Sequence, residues 1–204
     1  MLKASRGFSL VELLVGMAIF GVLMALALPS YSGWIRNAKI RTTAESVQNG
    51  LQLAKAEAVR RNTVARFQLI DLVDNSCDLN SAGPHWVVSL DSVVGKCGSA
   101  ASDTTDPRIV QLRGGAEGSD ENTKLAATRA DDETAQNALV FNGMGRLMLT
   151  PSGSVNIDVF NSAPGAACLA NGGKVRCLRV VITVGGQIRM CDPALPSGDT
   201  QACS

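Results

Sequence analysis

Hydrophobic residues follow three different rhythms along this chain. From Phe8 to Leu28 nearly every position is apolar (FSLVELLVGMAIFGVLMALAL), with Ser9 and Glu12 as the polar interruptions. A helix rising about 1.5 Å per residue would carry such a run across the roughly 30 Å hydrocarbon core of a bilayer. Beyond Pro29, Ile40, Ala44, Val47, Leu51, Ala54 and Ala58 recur at spacings of four and three, one face of an amphipathic helix. Arg41, Glu45, Gln48, Gln52, Lys55 and Arg60 lie largely off that stripe. Arg60 and Arg61 suit the negative end of a helix dipole, and Asn62 tolerates the left-handed conformation that follows a last turn, so the helix is predicted to end near Asn62. The small Ala54 and Ala58 let a sheet approach closely, which marks the stripe as a core face.

Past Asn62 the period becomes two and glycine and proline supply the punctuation. Strands are predicted at Thr63 to Ile70, His85 to Leu90, Ile109 to Arg113, Ala138 to Asn142, Arg146 to Thr150, Val155 to Phe160, Cys177 to Val184 and Gln187 to Cys191. The polar stretch Gly114 to Asn137 reads as a long surface loop around a short Lys124 to Thr128 segment. Phe141 to Leu147 is a hairpin whose glycines supply positive φ. The fold class is α+β, a long N-terminal helix, half transmembrane and half amphipathic, packed on a C-terminal antiparallel β-rich domain.

Composition narrows the function. Hydrophobic residues make up 46% of the chain but are concentrated near the N-terminus, and the formal net charge of +1 gives no global pull toward nucleic acid, an anionic membrane surface or an acidic substrate. Any basic site must be local. Six cysteines, Cys77, Cys97, Cys168, Cys177, Cys191 and Cys203, all follow the apolar run and none forms a CxxC pair, which points to disulfides in an oxidising compartment. Among the connectivities open to them, local pairing is expected: Cys77 with Cys97, Cys168 with Cys177, Cys191 with Cys203. His85 is the single histidine, and no nucleophile elbow, phosphate loop or zinc pattern accompanies it. Asp131, Asp132 and Glu133 lack the alternation of a calcium loop. Neither an enzyme nor a metal or other cofactor is expected.

Glu12 is the exception that carries information. A carboxylate inside an apolar span costs on the order of 2.5 to 3.5 kcal/mol, so an ordinary signal peptide cleaved after Ala25-Leu26-Ala27 has no reason to keep one. Gly7-Phe8-Ser9-Leu10-Val11-Glu12-Leu13-Leu14 resembles the class III signal of type IV prepilins and type II secretion pseudopilins, and Pro29 falls where that family commonly bends its helix. The resemblance implies a leader over 1–7, a prepilin peptidase that cuts between Gly7 and Phe8 and methylates the amino group of Phe8, a transmembrane part over 8–28, an amphipathic part over 29–62 and a globular domain over 63–204. It further implies that Glu12 pairs with the N-terminal amine of a neighbouring subunit during assembly. The expected partners are other major and minor pilins, the peptidase and inner-membrane lipid. Lys3 and Arg6 face Arg36, Lys39 and Arg41, so charge leaves the orientation open; the cysteines place the bulk of the chain outside, and the resemblance implies a single inner-membrane span with a periplasmic domain that then enters a pilus.

Two further stretches resemble the GspH/FimT branch of minor pilins. Leu51 to Asn62 is similar to its A-x-x-E-A-x-R-R-N helix end, and Phe141 to Leu147 to its hairpin. The branch implies a minor subunit near the tip of a type IV pilus that supports assembly. Its alternatives are a GspH-like pseudopilin of type II secretion and a FimT-like pilin that binds DNA through a C-terminal Gly-Arg-x-Arg motif. Here that motif reads Gly186-Gln187-Ile188-Arg189, leaving Arg189, Arg179, Arg176 and Lys174 as candidate DNA-binding cations. Strand alternation puts Arg179 on one face with Cys177 and Val181, and Arg176 on the other, so duplex DNA is expected to bind weakly at most.

Overall fold

The computed structural model describes residues 9–115 and 122–203, except for the side chains of 25–31. The expected cleavage between Gly7 and Phe8, the Ala25-Leu26-Ala27 site and the Pro29 side chain lie outside the described residues. The helix α1 runs Leu10–Arg61. Its start is a capping box: Ser9 Oγ accepts from Glu12 N at 3.2 Å, and Glu12 Oε2 accepts from Ser9 N at 3.0 Å, so two of the donors a helix start leaves open are satisfied reciprocally. The chain divides into two compact units, one ending at Arg36 and one covering Asn37–Ser204.

In the first unit the large apolar side chains from Leu10 to Met24 are exposed, Leu10 at 76% and Phe20 at 61%. Among the described residues no helix is long and apolar enough to cross a membrane; the described side chains of the run end at Met24.

In the second unit Ile40, Ala44, Val47, Leu51, Ala54 and Ala58 are fully buried, the stripe that the spacing predicts. They share one core with residues from two antiparallel sheets. The first sheet contains β1 (Ala65–Ile70), β2 (His85–Ser89), β3 (Ile109–Arg113), β5 (Ala138–Phe141) and β6 (Leu147–Met148) in the order β3-β2-β1-β5-β6. The second contains β4 (Thr123–Arg129), β7 (Val155–Asn161), β8 (Leu178–Ile182) and β9 (Ile188–Cys191) in the order β4-β7-β8-β9. Leu147 N donates to Val184 O at 3.1 Å and ties an edge of the first sheet to the end of β8.

Alternation along β1 sends Ala65, Phe67 and Leu69 into the main core and Ile70 into a second cluster with Cys77, Val87, Val93, Cys97 and Ile109. Gly50 of α1 faces the aromatic pair Phe67 and Trp86, whose ring centroids are 5.5 Å apart. A Cβ at Gly50 would meet the Phe67 ring at 2.8 Å and the Trp86 ring at 2.9 Å. Glycine costs about 1 kcal/mol of helix propensity there, less than the roughly 3 to 5 kcal/mol that burying one such ring is worth.

The expected loop from Gly114 to Asn137 is corrected: it contains the strand β4, with seven residues in register against β7 from Thr123↔Asn161 to Arg129↔Val155. Thr123, Leu125, Ala127 and Arg129 alternate inward. Polar composition concealed the strand because its last inward position is an arginine. Arg129 is satisfied there, donating to Asp131 Oδ1 at 3.0 Å, Asp131 Oδ2 at 2.7 Å and Pro151 O at 2.7 Å. The strand expected at Arg146 to Thr150 shortens to Leu147–Met148.

Three disulfides join Cys77 to Cys97, Cys168 to Cys177 and Cys191 to Cys203, each between cysteines consecutive in the chain. The first holds the two loops that cover the outer face of β1 and β2; the last ties the C-terminal segment to the edge strand β9.

Candidate functional site

The helix end, the β5–β6 turn and the β8–β9 turn meet at one junction. The helix closes as a Schellman motif: Thr63 N donates to Ala58 O at 3.1 Å and Asn62 N to Val59 O at 3.2 Å, with Asn62 left-handed at φ 49°. The β5–β6 turn then packs against it with glycines where no side chain fits. A Cβ on Gly143 would lie 2.6 Å from Asn62 Oδ1, and one on Gly145 would lie 3.0 Å from Lys55 Cε. The β8–β9 turn completes the contact: Lys55 Nζ donates to Gly186 O at 2.8 Å, and a Cβ on Gly186 would fall 1.9 Å from Gly145 O. In the two turns, Gly143 and Gly186 are thus explained by close approach to the Asn62 and Gly145 backbone and Gly145 by its positive φ of 72° beside Lys55, and Gly186 is a packing residue.

Beside this junction runs a groove of about 620 Å³. Ala56, Val59 and Ile188 provide apolar lining, with Lys55, Arg60 and Gln187 among them. Met144, at the tip of the β5–β6 turn, is 77% exposed.

The candidate DNA-binding cations do not gather into one free patch. Arg179 stands opposite Asp158 in the β7–β8 pairing and donates to its two carboxylate oxygens at 2.7 and 2.9 Å. Arg176 is ion-paired with Asp192, which is buried. Lys174 is exposed. The register Arg179↔Cys191 and Val181↔Arg189 puts Arg179, Val181 and Arg189 on the face of the second sheet opposite the core-facing Val180 and Ile182. The expectation about Arg176 and Cys177 is corrected in one respect: β8 begins at Leu178, so strand alternation does not govern either residue, and Cys177 turns into the core.

His85 has a structural task. Its Nδ1 accepts a hydrogen bond from Gly115 N at 2.7 Å. Burial pushes its pKa below the ordinary value near 6.5, with the Asp71 charge opposing. A base with a depressed folded pKa binds protons more readily when unfolded, so stability declines as pH falls from about 6.5 toward the folded value. Glu57, held low by its hydrogen bond from Arg60, and Asp91, held low by Arg108, act further down: their contributions persist above ordinary values of 4.5 and 3.8 and disappear as pH falls through the lower folded ones. The urea midpoint is therefore expected to be flat above about pH 6.5 and to decline just below it, and His85→Gln should flatten that first decline. An unchanged profile in the variant would assign the decline to other groups. Among the described residues no cluster of histidine, cysteine, aspartate or glutamate could hold a metal ion.

Comparison with known proteins adds the family. The model of the Type II transport protein GspH family matches residues 43–186, and that of the prokaryotic N-terminal methylation motif matches residues 2–28. The type IV major fimbrial protein FimA of Dichelobacter nodosus is 31% identical over 100 residues, 49% of this chain and 53% of that protein. The chain spans about half or less of the length of the curated relatives it matches. Among solved structures, the type IV minor pilin FimU of Pseudomonas aeruginosa aligns over 81% of this chain and 95% of its own at 19% identity, with a TM-score of 0.47. The minor pseudopilin EpsH of the Vibrio cholerae type 2 secretion system aligns over 78% and 99% at 13% identity, with a TM-score of 0.44. With most of its globular unit and the methylation motif both matched, the chain belongs to the GspH family of type IV pilin-like proteins, which are structural subunits and not enzymes.

Proposed function

We propose that this chain is a minor subunit of a type IV pilus, incorporated near the filament tip and supporting the start of assembly. The observation that carries the reading is the N-terminal unit. The matched methylation motif, residues 2–28, contains large apolar side chains that the chain itself leaves exposed from Leu10 to Met24, and lipid or neighbouring subunits must cover them. In this reading prepilin peptidase cuts between Gly7 and Phe8 and methylates Phe8. Residues 8–28 then anchor the chain once through the inner membrane with the disulfide-bonded domain in the periplasm, and Glu12 aligns the subunit with its neighbours. Other major and minor pilins are the partners; no cofactor takes part.

Mass spectrometry of the chain recovered from sheared filaments is expected to find a mature N-terminus at N-methylated Phe8. A mature N-terminus at Leu28, after Ala27, would overturn the reading.

The description of the matching family favours a second reading, a pseudopilin of a type II secretion system. Deleting the gene separates the two, because loss of surface pili with normal protein secretion supports the pilus and the opposite result supports the secretion filament.

A further inference from the structure

We propose that the groove beside the helix end is a docking site for an extended segment of a partner subunit carrying alternating apolar and acidic side chains. The proposal rests on the filament reading for the kind of partner and on the groove itself for the chemistry. Ala56 and Val59 lie exposed on successive turns of α1, with Ile188 of β9 among the other lining residues, so side chains of the partner that reach them leave water. Lys55 and Arg60 also line the groove, Arg60 already paired with Glu57 on its own helix, so Lys55 carries the charge there. Lys55 Nζ is held by the Gly186 carbonyl, a neutral acceptor that leaves its charge uncompensated in that bond and fixes its position. Arg146 adds a third cation at the border: it is exposed, and its Cα lies against Gly186. An acidic partner therefore meets positive charge around an apolar surface, the arrangement that speeds encounter and excludes basic segments.

The same groove suits nucleic acid poorly. A phosphate backbone offers nothing to Ala56, Val59 and Ile188, and no aromatic ring lines the groove for a base to stack on.

The test uses the full chain in lipid nanodiscs and three probes: a short blocked peptide of alternating Glu and Leu, its Lys and Leu counterpart, and duplex DNA. The Glu–Leu peptide is expected to bind saturably and to shift the amide signals of Ala56, Gln187 and Ile188. Ala56→Glu, which sets a carboxylate in the groove on an exposed helix position, should weaken binding by about tenfold or more. Arg146→Ser should weaken it severalfold and serves as the second variant should Ala56→Glu fold poorly. Lys174→Glu makes the net charge more negative, by two where Ala56→Glu does so by one, at a site outside the groove, and should leave binding nearly unchanged. Equal binding of the Lys–Leu peptide, no effect of either groove variant, shifts confined to other amides, or tighter binding of duplex DNA at these same amides would overturn the proposal.

The filament reading is judged separately by the amount of wild-type chain in sheared filaments. Wild type present but Glu–Leu peptide unbound sinks the groove alone; peptide bound at the groove but wild type absent from filaments sinks the filament reading alone.

Discussion

Gly186→Ala is expected to lower the stability of the globular unit by roughly 2 to 5 kcal/mol, read as a fall in the urea midpoint with an unchanged slope. Two costs combine. Gly186 has φ 76°, a conformation in which an L side chain costs about 1 to 2 kcal/mol. A new Cβ would also fall 1.9 Å from Gly145 O, which is backbone and cannot rotate away, so the β8–β9 turn must move off the β5–β6 turn. Forcing such a shift in a packed site costs roughly another 1 to 3 kcal/mol. Gly172 supplies the control: its φ is also 76°, and a Cβ there meets nothing within 4 Å. Gly172→Ala should show the conformational cost alone. Equal losses in the two variants would mean that the junction is loose enough to absorb the methyl group, and that the glycines of the hairpin motifs are not explained by close packing.

Glu12→Ala is expected to leave membrane insertion intact or improved while removing the chain almost entirely from sheared filaments. The first half follows from the cost of a carboxylate in hydrocarbon, on the order of 2.5 to 3.5 kcal/mol, which the substitution abolishes. Against it stands the capping box, whose loss frays the helix start by about 1 kcal/mol, so insertion keeps a net gain. The second half follows from the proposed pairing of Glu12 with a neighbour's N-terminal amine, an attraction strengthened by low dielectric and unavailable to alanine. Glu12→Gln separates the two functions: an amide still accepts from Ser9 N and keeps the box but carries no charge. Filament levels of Glu12→Gln as low as those of Glu12→Ala assign the role to charge. Normal levels of Glu12→Ala would show that the carboxylate has no part in assembly.

Much of the fold was legible because the signals behind it are local. The buried stripe from Ile40 to Ala58 follows from a spacing of three and four, and the stop at Asn62 from the tolerance of asparagine for positive φ after Arg60 and Arg61. Strands such as Ile109–Arg113 stood out by their apolar β-branched residues between turn signals. Strand β4 was hidden because its inward Thr123 and Arg129 are polar, and only partners elsewhere in the chain, Asp131 and the Pro151 carbonyl, make an inward arginine tolerable.

The candidate site divides the same way. Gly7, Phe8 and Glu12 belong to a contiguous motif and could be named from the chain alone. The cations could be named but not weighed, since Arg179 is matched by Asp158 across a strand pair and Arg176 by Asp192 beyond the next strand. The groove had no signal at all: Lys55 and Gly186 are 131 residues apart, and no period or spacing records that they touch. What the sequence determined by itself was every feature that a residue settles with its neighbours in the chain, the helix, its end and most strands. What only the tertiary structure decided was which charges are neutralised and which surfaces converge, because those depend on contacts between segments that chain order leaves far apart.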